Sequence, residues 1–128
     1  MQQVLLVALG GSLGAIARYG VSTAVYRLTD PSFPWGTLAV NLIGSFVIGV
    51  LAELFDIVLI PAGWRLMLAI GFLGAFTTFS TFSLETVNLL RDGEMGLALT
   101  NVVVSNVFGI ALVLAGVLST RAVFRILS

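Results

Sequence analysis

The chain has 128 residues, of which six are basic and six are acidic, so charged residues make up 9% and the net charge is zero. Soluble domains carry about 25% charged residues. Apolar residues make up 59% here, and the mean hydropathy is +1.12. A soluble domain of this size could not bury so much apolar surface, and disordered chains are poor in apolar residues. The composition therefore predicts an integral membrane protein.

Several residue types that carry enzyme chemistry are absent from the sequence. There is no cysteine and no histidine, and every basic residue is an arginine. Thiol nucleophiles, imidazole bases and lysine Schiff bases are thereby excluded. Because the chain has no basic cluster, nucleic acid is not an expected partner. With six carboxylates as the main remaining acid–base groups, we expect a protein that is not an enzyme.

Four apolar segments follow one another along residues 1–128, which we interpret as a single transmembrane domain. The expected helices are about 4–26, 36–55, 64–90 and 95–120. Each is close to or above the roughly 20 residues that a spanning helix needs. The connections contain Pro31 and Pro34, then Pro61 and Gly63, and finally the polar loop 91–94. Proline and glycine favour turns there. The predicted class is an all-α membrane protein with four transmembrane helices.

The arginines predict an unusual orientation in the membrane. They divide evenly between the two sides of a four-helix bundle: Arg65, Arg121 and Arg125 on one side, and Arg27, Arg91 and a snorkelling Arg18 on the other. Since the bias of basic residues sets orientation, an even division predicts insertion in both orientations. Two opposite copies could then pair about an axis in the membrane plane, as inverted repeats do. Alternatively, features outside this count impose one orientation.

Polar residues recur at helical spacing inside two of the predicted helices. Thr37, Asn41 and Ser45 are four residues apart and share one face of the second helix, as Asn101 and Ser105 do in the fourth. Threonine and serine in membrane helices often bond their own i−4 carbonyl. An asparagine amide needs more partners. Either hydrogen bonds between helices or an ion pathway would satisfy these groups.

The segment 77–83, TTFSTFS, is the most informative part of the sequence. Five of its seven residues carry hydroxyls, and the other two are Phe79 and Phe82. We expect the third helix to be interrupted near residues 74–80, and such an interruption is tolerated only inside protein or beside an aqueous cavity. Phenylalanine edges are electropositive and could hold an anion. The alternative interpretation is an ordinary helix with two packing phenylalanines.

Together these motifs resemble the Fluc (CrcB) family of fluoride channels. The resemblance rests on TTFSTFS followed by Glu85 and Thr86, on the upstream GFLGAF, on WGTL with NLIG, and on GAIARY in the first helix. It covers all four predicted helices. It implies an antiparallel, dual-topology homodimer in a prokaryotic inner membrane, with two pores and a central structural Na⁺. The implied activity is passive, uncoupled fluoride efflux that protects the cell from fluoride toxicity.

The resemblance also implies roles for individual residues. Phe79 and Phe82 look like the pore phenylalanines, and Asn41 looks like the pore asparagine. The remaining fluoride-pathway candidates are hydroxyl residues: Thr37, Ser80, Thr81 and Ser105. Backbone carbonyls of Gly74 and Thr77 match the Na⁺ ligands, and Arg18 matches a vestibule arginine. Glu85 would either contact ions or cap a helix. The chain departs from the family pattern at Gly109, where a serine can occur.

Other classes of membrane protein fit the sequence less well. Small multidrug exporters have a similar size and dual topology, but their proton coupling requires an acidic residue in the first helix. Residues 4–26 contain no such residue and carry Arg18 instead. A purely structural subunit would not explain TTFSTFS. An intramembrane hydrolase fits least well, because the sequence has no histidine and we expect no paired acids within one helix.

Overall fold

A computed structural model describes residues 1–127, which form helices and no strand. The helices are α1 (Gln2–Leu28), α2 (Trp35–Ile57), α3 (Ala62–Arg65), a π-helix (Leu66–Leu73), α4 (Gly74–Phe76), α5 (Phe79–Arg91) and α6 (Met95–Leu127). Four stretches are long and apolar enough to span a membrane: Gln2–Leu28, Trp35–Ile57, Ala62–Arg91 and Met95–Leu127. The all-α class and the four predicted membrane spans are therefore confirmed for the described residues.

Local sequence explains where the first two helices are separated. After α1 the side chain of Asp30 accepts a hydrogen bond of 2.7 Å from the backbone N–H of Ser32, which closes a tight turn. Hydrogen bonds from Ser32 lower the pKa of this exposed Asp30 carboxyl. Pro34 precedes α2, and Trp35 opens it. Trp35 is 42% exposed, as expected for an aromatic side chain at the membrane surface.

Glycines allow α1 to pack directly on the backbone of the π-helix. A Cβ atom added to Gly10 would overlap the carbonyl of Met67, and one added to Gly14 would overlap the carbonyl of Phe72. On the opposite helix, Gly71 lies against the carbonyl of Val7 in the same way. This close approach is what a small-xxx-small pattern permits in a membrane helix. Gly10 and Gly14 of α1 therefore have a packing role.

The packing of α1 predicts a large difference between two otherwise identical substitutions. We expect Gly14→Ala to lower the free energy of unfolding by about 1–3 kcal/mol, because the backbone of Phe72 must move. Gly20→Ala is the matched control on the same helix, since no atom lies within 4 Å of its added Cβ. Denaturation of the purified proteins measures both. Equal loss in the two variants would contradict the packing role.

The other close helix pair is formed by α2 and α6. Gly49 lies against the carbonyl of Val113, and Gly116 lies against the carbonyl of Phe46. Near the end of this pair, Arg121 Nε and Glu53 Oε1 form an ion pair at 2.7 Å, with Glu53 7% exposed. A carboxylate this buried requires such a partner. Helix α6 continues through this ion pair to Leu127, beyond the expected end near residue 120.

Candidate functional site at a helix break

The third membrane span is interrupted between α4 and α5. Thr77 has φ −85° and ψ 159°, and Thr78 has φ −151° and ψ 113°, so both residues are extended. The Thr78 hydroxyl oxygen accepts a hydrogen bond of 3.2 Å from the N–H of Thr81 and so caps α5. Threonine is a favoured N-cap because it satisfies a donor that the first helical turn leaves free. The break therefore falls within the range expected from TTFSTFS.

Asn41 on α2 holds the extended backbone at this break. Its Oδ1 accepts a hydrogen bond from the N–H of Thr78 at 2.7 Å, and its Nδ2 donates to the Thr78 carbonyl at 3.0 Å. Thr78 is 8% exposed, so its backbone groups need partners within the protein. The amide of Asn41 has a second N–H. Asn41 can therefore hold the break and still donate to a bound ion.

At the break, the backbone carbonyls of Gly74 and Thr77 lose the N–H donors that a continuous helix would provide. In a continuous helix the N–H of Thr78 would bond the carbonyl of Gly74, but it donates to Asn41 instead. Likewise the N–H of Thr81 would bond the carbonyl of Thr77, but it donates to the Thr78 hydroxyl. Gly74 and Thr77 are the two residues that the family resemblance assigns to Na⁺. The structure frees the carbonyl oxygens of both from the helical pattern.

A cavity of about 390 Å³ lies at the break, and we call it the break cavity. It brings together six residues predicted from the sequence: Asn41, Gly74, Thr77, Phe79, Phe82 and Ser105. The rings of Phe79 and Phe82 lie 5.5 Å apart, inclined by 42°. Phe82 is 9% exposed, whereas Phe79 is 77% exposed on the single chain. The two phenylalanines thus contact each other but face different surroundings.

The predicted hydroxyl residues of α5 are linked through Thr78, which sequence analysis did not single out. The Thr78 hydroxyl donates to the Thr81 hydroxyl at 2.9 Å and lies 3.3 Å from the Ser80 hydroxyl. Its position just before the helix is typical of an N-cap, and that signal could have identified it. Ser80 is exposed on the single chain, whereas Thr81 lines a second cavity.

The second cavity has a volume of about 310 Å³, and we call it the inner cavity. Its polar lining includes four predicted residues: Arg18, Thr37, Thr81 and Glu85. The hydroxyl of Thr37 donates to Glu85 Oε1 at 2.7 Å. Thr37 therefore does not follow the common tendency of threonine to bond its own i−4 carbonyl, because a carboxylate from α5 is within reach. Glu85 lies inside α5 and does not cap that helix, whose cap is Thr78.

Tyr26 is a second residue of this site that was not identified from the sequence. Its hydroxyl donates to Glu85 Oε1 at 2.9 Å and lies 3.2 Å from the Thr37 hydroxyl. Tyr26 and Glu85 are 59 residues apart, and no spacing rule for a helix connects them. Only the association of α1, α2 and α5 brings these side chains together.

The polar residues of α6 divide between two roles. Asn101 is 2% exposed, and its Nδ2 donates to the hydroxyl of Thr86 on α5 at 2.9 Å, which is a hydrogen bond between helices. Ser105 donates to Asn101 Oδ1 at 3.4 Å and also lines the break cavity. Gly109 lies close to Ser45, since its added Cβ would be 3.6 Å from the serine hydroxyl. That distance is ordinary contact, so the glycine is not required there by packing.

The chain matches a known protein family over most of its length. A model of the family described as CrcB-like protein, Camphor Resistance (CrcB), matches residues 5–117. The chain belongs to the CrcB family. The match extends from α1 into α6, and it therefore includes the break, both cavities and every residue that the family resemblance assigned.

Individual CrcB relatives are similar over nearly their full length. A Magnetococcus marinus protein is 53% identical over 104 residues, covering 80% of this chain and 85% of the relative. A Citrifermentans bemidjiense protein is 48% identical over 124 residues, covering 95% and 99%. An Agrobacterium fabrum protein is 47% identical over 125 residues, covering 97% and 100%. All three are named fluoride-specific ion channel FluC. The chain is thus a multi-pass membrane protein whose relatives are channels.

Proposed function

We propose that this protein is a fluoride channel that lets fluoride flow passively and without coupling to another ion. The observation that carries the proposal is the capped helix break, at which Asn41, Phe79 and Phe82 line one cavity. Close relatives named as fluoride channels support the choice of ion. In a prokaryotic inner membrane, such flow would remove fluoride from the cell and so protect it. This role requires no catalytic step.

The chemistry of the break suits a small, strongly hydrated anion. The first N–H groups of α5, those of Phe79 and Ser80, have no helical acceptor. The helix dipole adds positive potential at the same end. The edges of the phenylalanine rings are also electropositive, and Asn41 has a further N–H donor. Several donors without a fixed positive charge would bind fluoride weakly enough to release it, as conduction requires.

The same break supports a structural Na⁺ site. Small hard cations prefer oxygen ligands, and the carbonyls of Gly74 and Thr77 lack their usual helical donors for the reasons given above. One chain would contribute two carbonyls, so a second copy facing the first would double the number of ligands. Na⁺ would supply positive charge near the anion pathway and link the two copies. We assign it a structural role only.

An antiparallel homodimer with two pores would cover the apolar surface that one chain exposes. Large apolar side chains point outward on α1 and α6, among them Leu9, Leu13, Ile16, Ile110, Leu114 and Leu118. Lipid and a second copy are the partners that suit such a surface. The exposed ring of Phe79, although it lines the break cavity, is consistent with contact across a dimer. The even division of arginines favours opposite orientations.

Dual topology predicts two populations of the C-terminus. We expect a C-terminal reporter to be found on both sides of the membrane in comparable amounts, because neither side has an excess of arginine. Adding arginines to one loop should move the population to one orientation and reduce flux. A uniform orientation in the unmodified protein would contradict the antiparallel dimer.

Fluoride efflux from liposomes tests the proposed function directly. A fluoride electrode should record rapid release only after a K⁺ ionophore is added, because uncoupled flow of an anion needs a compensating cation. A parallel chloride measurement should show little release. Release that depended on a proton gradient would instead indicate a coupled exporter, and the absence of release from well-folded dimers would refute the channel.

A further inference from the structure

Ser45 of α2 is a polar residue of the break cavity that none of the roles described above uses. It lines this cavity together with Asn41 of the same helix and Ser105 of α6. Residues four apart share one face of a helix, so Ser45 lies about 6 Å beyond Asn41 along the cavity wall. Among the residues that the structure describes, no acidic or basic side chain lines this cavity. An anion beside Ser45 would therefore meet no fixed negative charge in the lining.

The surface that faces Ser45 belongs to α6, which runs parallel to α2. A Cβ atom added to Gly109 would lie 3.6 Å from the Ser45 hydroxyl oxygen, and one turn further on both helices Gly49 lies against the carbonyl of Val113. Facing positions thus advance together along the two helices. Beyond its own stretch of α6, the Ser45 hydroxyl is the only described atom within 4 Å of that added Cβ. Gly109 therefore leaves space open beside the hydroxyl.

The hydroxyl proton of Ser45 is available for a stronger acceptor. It is donated to the Asn41 carbonyl at 2.7 Å. Both residues lie within α2, where the same carbonyl accepts the N–H of Ser45 in the helical pattern. The carbonyl consequently keeps a donor when the hydroxyl turns away. A hydroxyl proton rotates to suit its surroundings, and a hydrogen bond to an anion is stronger than one to a neutral carbonyl. Fluoride in the open space would therefore draw the proton from Asn41.

We propose that Ser45 is a fluoride-binding residue, one helical turn along the pathway from Asn41. This proposal rests on the proposed function. The amide of Asn41 and the hydroxyl of Ser45 form two successive donor sites on α2, and Gly109 provides the room for the ion at the second site. Neither donor carries a fixed positive charge. Successive weak sites suit conduction, because an ion can be handed from one to the next without being held tightly at either.

Removing the hydroxyl should slow fluoride flow without unfolding the protein. We expect Ser45→Ala to reduce the rate of efflux from liposomes by about fivefold, since the ion loses a charge-assisted hydrogen bond. Thermal unfolding should stay unchanged, because a serine that bonds its own i−4 carbonyl does not stabilise a helix. If Ser45→Ala does not form dimers, Ser45→Cys takes its place, since a thiol is a weak donor of similar size. Efflux equal to that of the wild type would overturn the proposal.

A hydroxyl placed on the facing helix tests the role of Ser45 by rescue. Gly109→Ser, combined with Ser45→Ala, returns a hydroxyl to the same space from α6. We expect this double variant to recover at least about half of the wild-type efflux rate, because the donor matters and the helix that carries it does not. Gly109→Ala combined with Ser45→Ala is the matched control, because it adds the Cβ without the hydroxyl, and its efflux should remain slow. Absence of rescue by Gly109→Ser, or equal rescue by Gly109→Ala, would overturn the proposal.

Ser119→Ala is the control for the loss of a serine elsewhere. The Ser119 hydroxyl also donates to its own i−4 carbonyl, that of Ala115, at 2.6 Å. Ser119 lines neither the break cavity nor the inner cavity, so its efflux should equal that of the wild type. Equal slowing in Ser119→Ala and Ser45→Ala would overturn the proposal. A wild-type protein without fluoride efflux would refute the proposed function itself, whereas normal wild-type efflux with unchanged Ser45→Ala would refute the role of Ser45 alone.

Discussion

Asn41→Asp should reduce fluoride efflux by at least about tenfold, since a negative charge near the path repels the anion by about 1–4 kcal/mol at 4 Å. The structure adds a second reason. One aspartate oxygen could still accept from the N–H of Thr78, but the other would face the Thr78 carbonyl, to which the Asn41 amide now donates. The electrode assay in liposomes measures the loss.

Asn41→Ala separates the effect of charge from the effect of holding the break. It leaves the buried N–H of Thr78 without a partner, which should cost about 1–3 kcal/mol of stability. It introduces no negative charge, so folded protein should conduct better than Asn41→Asp. Equal efflux in Asn41→Asp and the wild type would remove Asn41 from the pathway, and unchanged stability in Asn41→Ala would contradict its role at the break.

Phe79→Ile and Phe82→Ile should each suppress fluoride efflux by at least about tenfold, because isoleucine has no electropositive ring edge to hold the anion. Their effects on stability should differ. Phe82 is 9% exposed, whereas Phe79 is 77% exposed on the single chain. In the monomer, the exposed substitution should change stability by no more than about 0.5 kcal/mol. Efflux and denaturation measured on the same preparations distinguish the two effects.

Phe108→Ile is the matched control for these substitutions. Phe108 is a 55% exposed phenylalanine of α6 that lines neither the break cavity nor the inner cavity. We expect its efflux to equal that of the wild type. Full efflux in both Phe79→Ile and Phe82→Ile would defeat the model in which ring edges hold the anion. Loss of efflux in all three variants would point to a general effect on the dimer.

The break in the third span shows how much of the structure the local sequence can predict. TTFSTFS predicted an interruption because five hydroxyl residues compete with the helical backbone for hydrogen bonds. The structure shows that Thr78 is the hydroxyl residue that caps α5. However, the segment does not contain the side chain that bonds the extended backbone of Thr78. That side chain is Asn41, which is 37 residues away.

The polar residues of α2 illustrate the opposite case. Thr37, Asn41 and Ser45 share one face at helical spacing, which the sequence showed correctly. Their partners nevertheless differ: Ser45 donates to the Asn41 carbonyl of its own helix, whereas Thr37 donates to Glu85 of α5. A helical repeat indicates which face of the helix a side chain occupies. It does not indicate which helix packs against that face.

By itself, the sequence predicted four segments that are long and apolar enough to cross a membrane, because the length and apolarity of a segment are local properties. It also located the region of the break, because capping by a threonine involves only neighbouring residues. Only the tertiary structure decided that Tyr26, Thr37 and Glu85 meet at the inner cavity. Such a meeting depends on how three helices pack, and close packing in turn depends on glycines that allow one backbone to approach another.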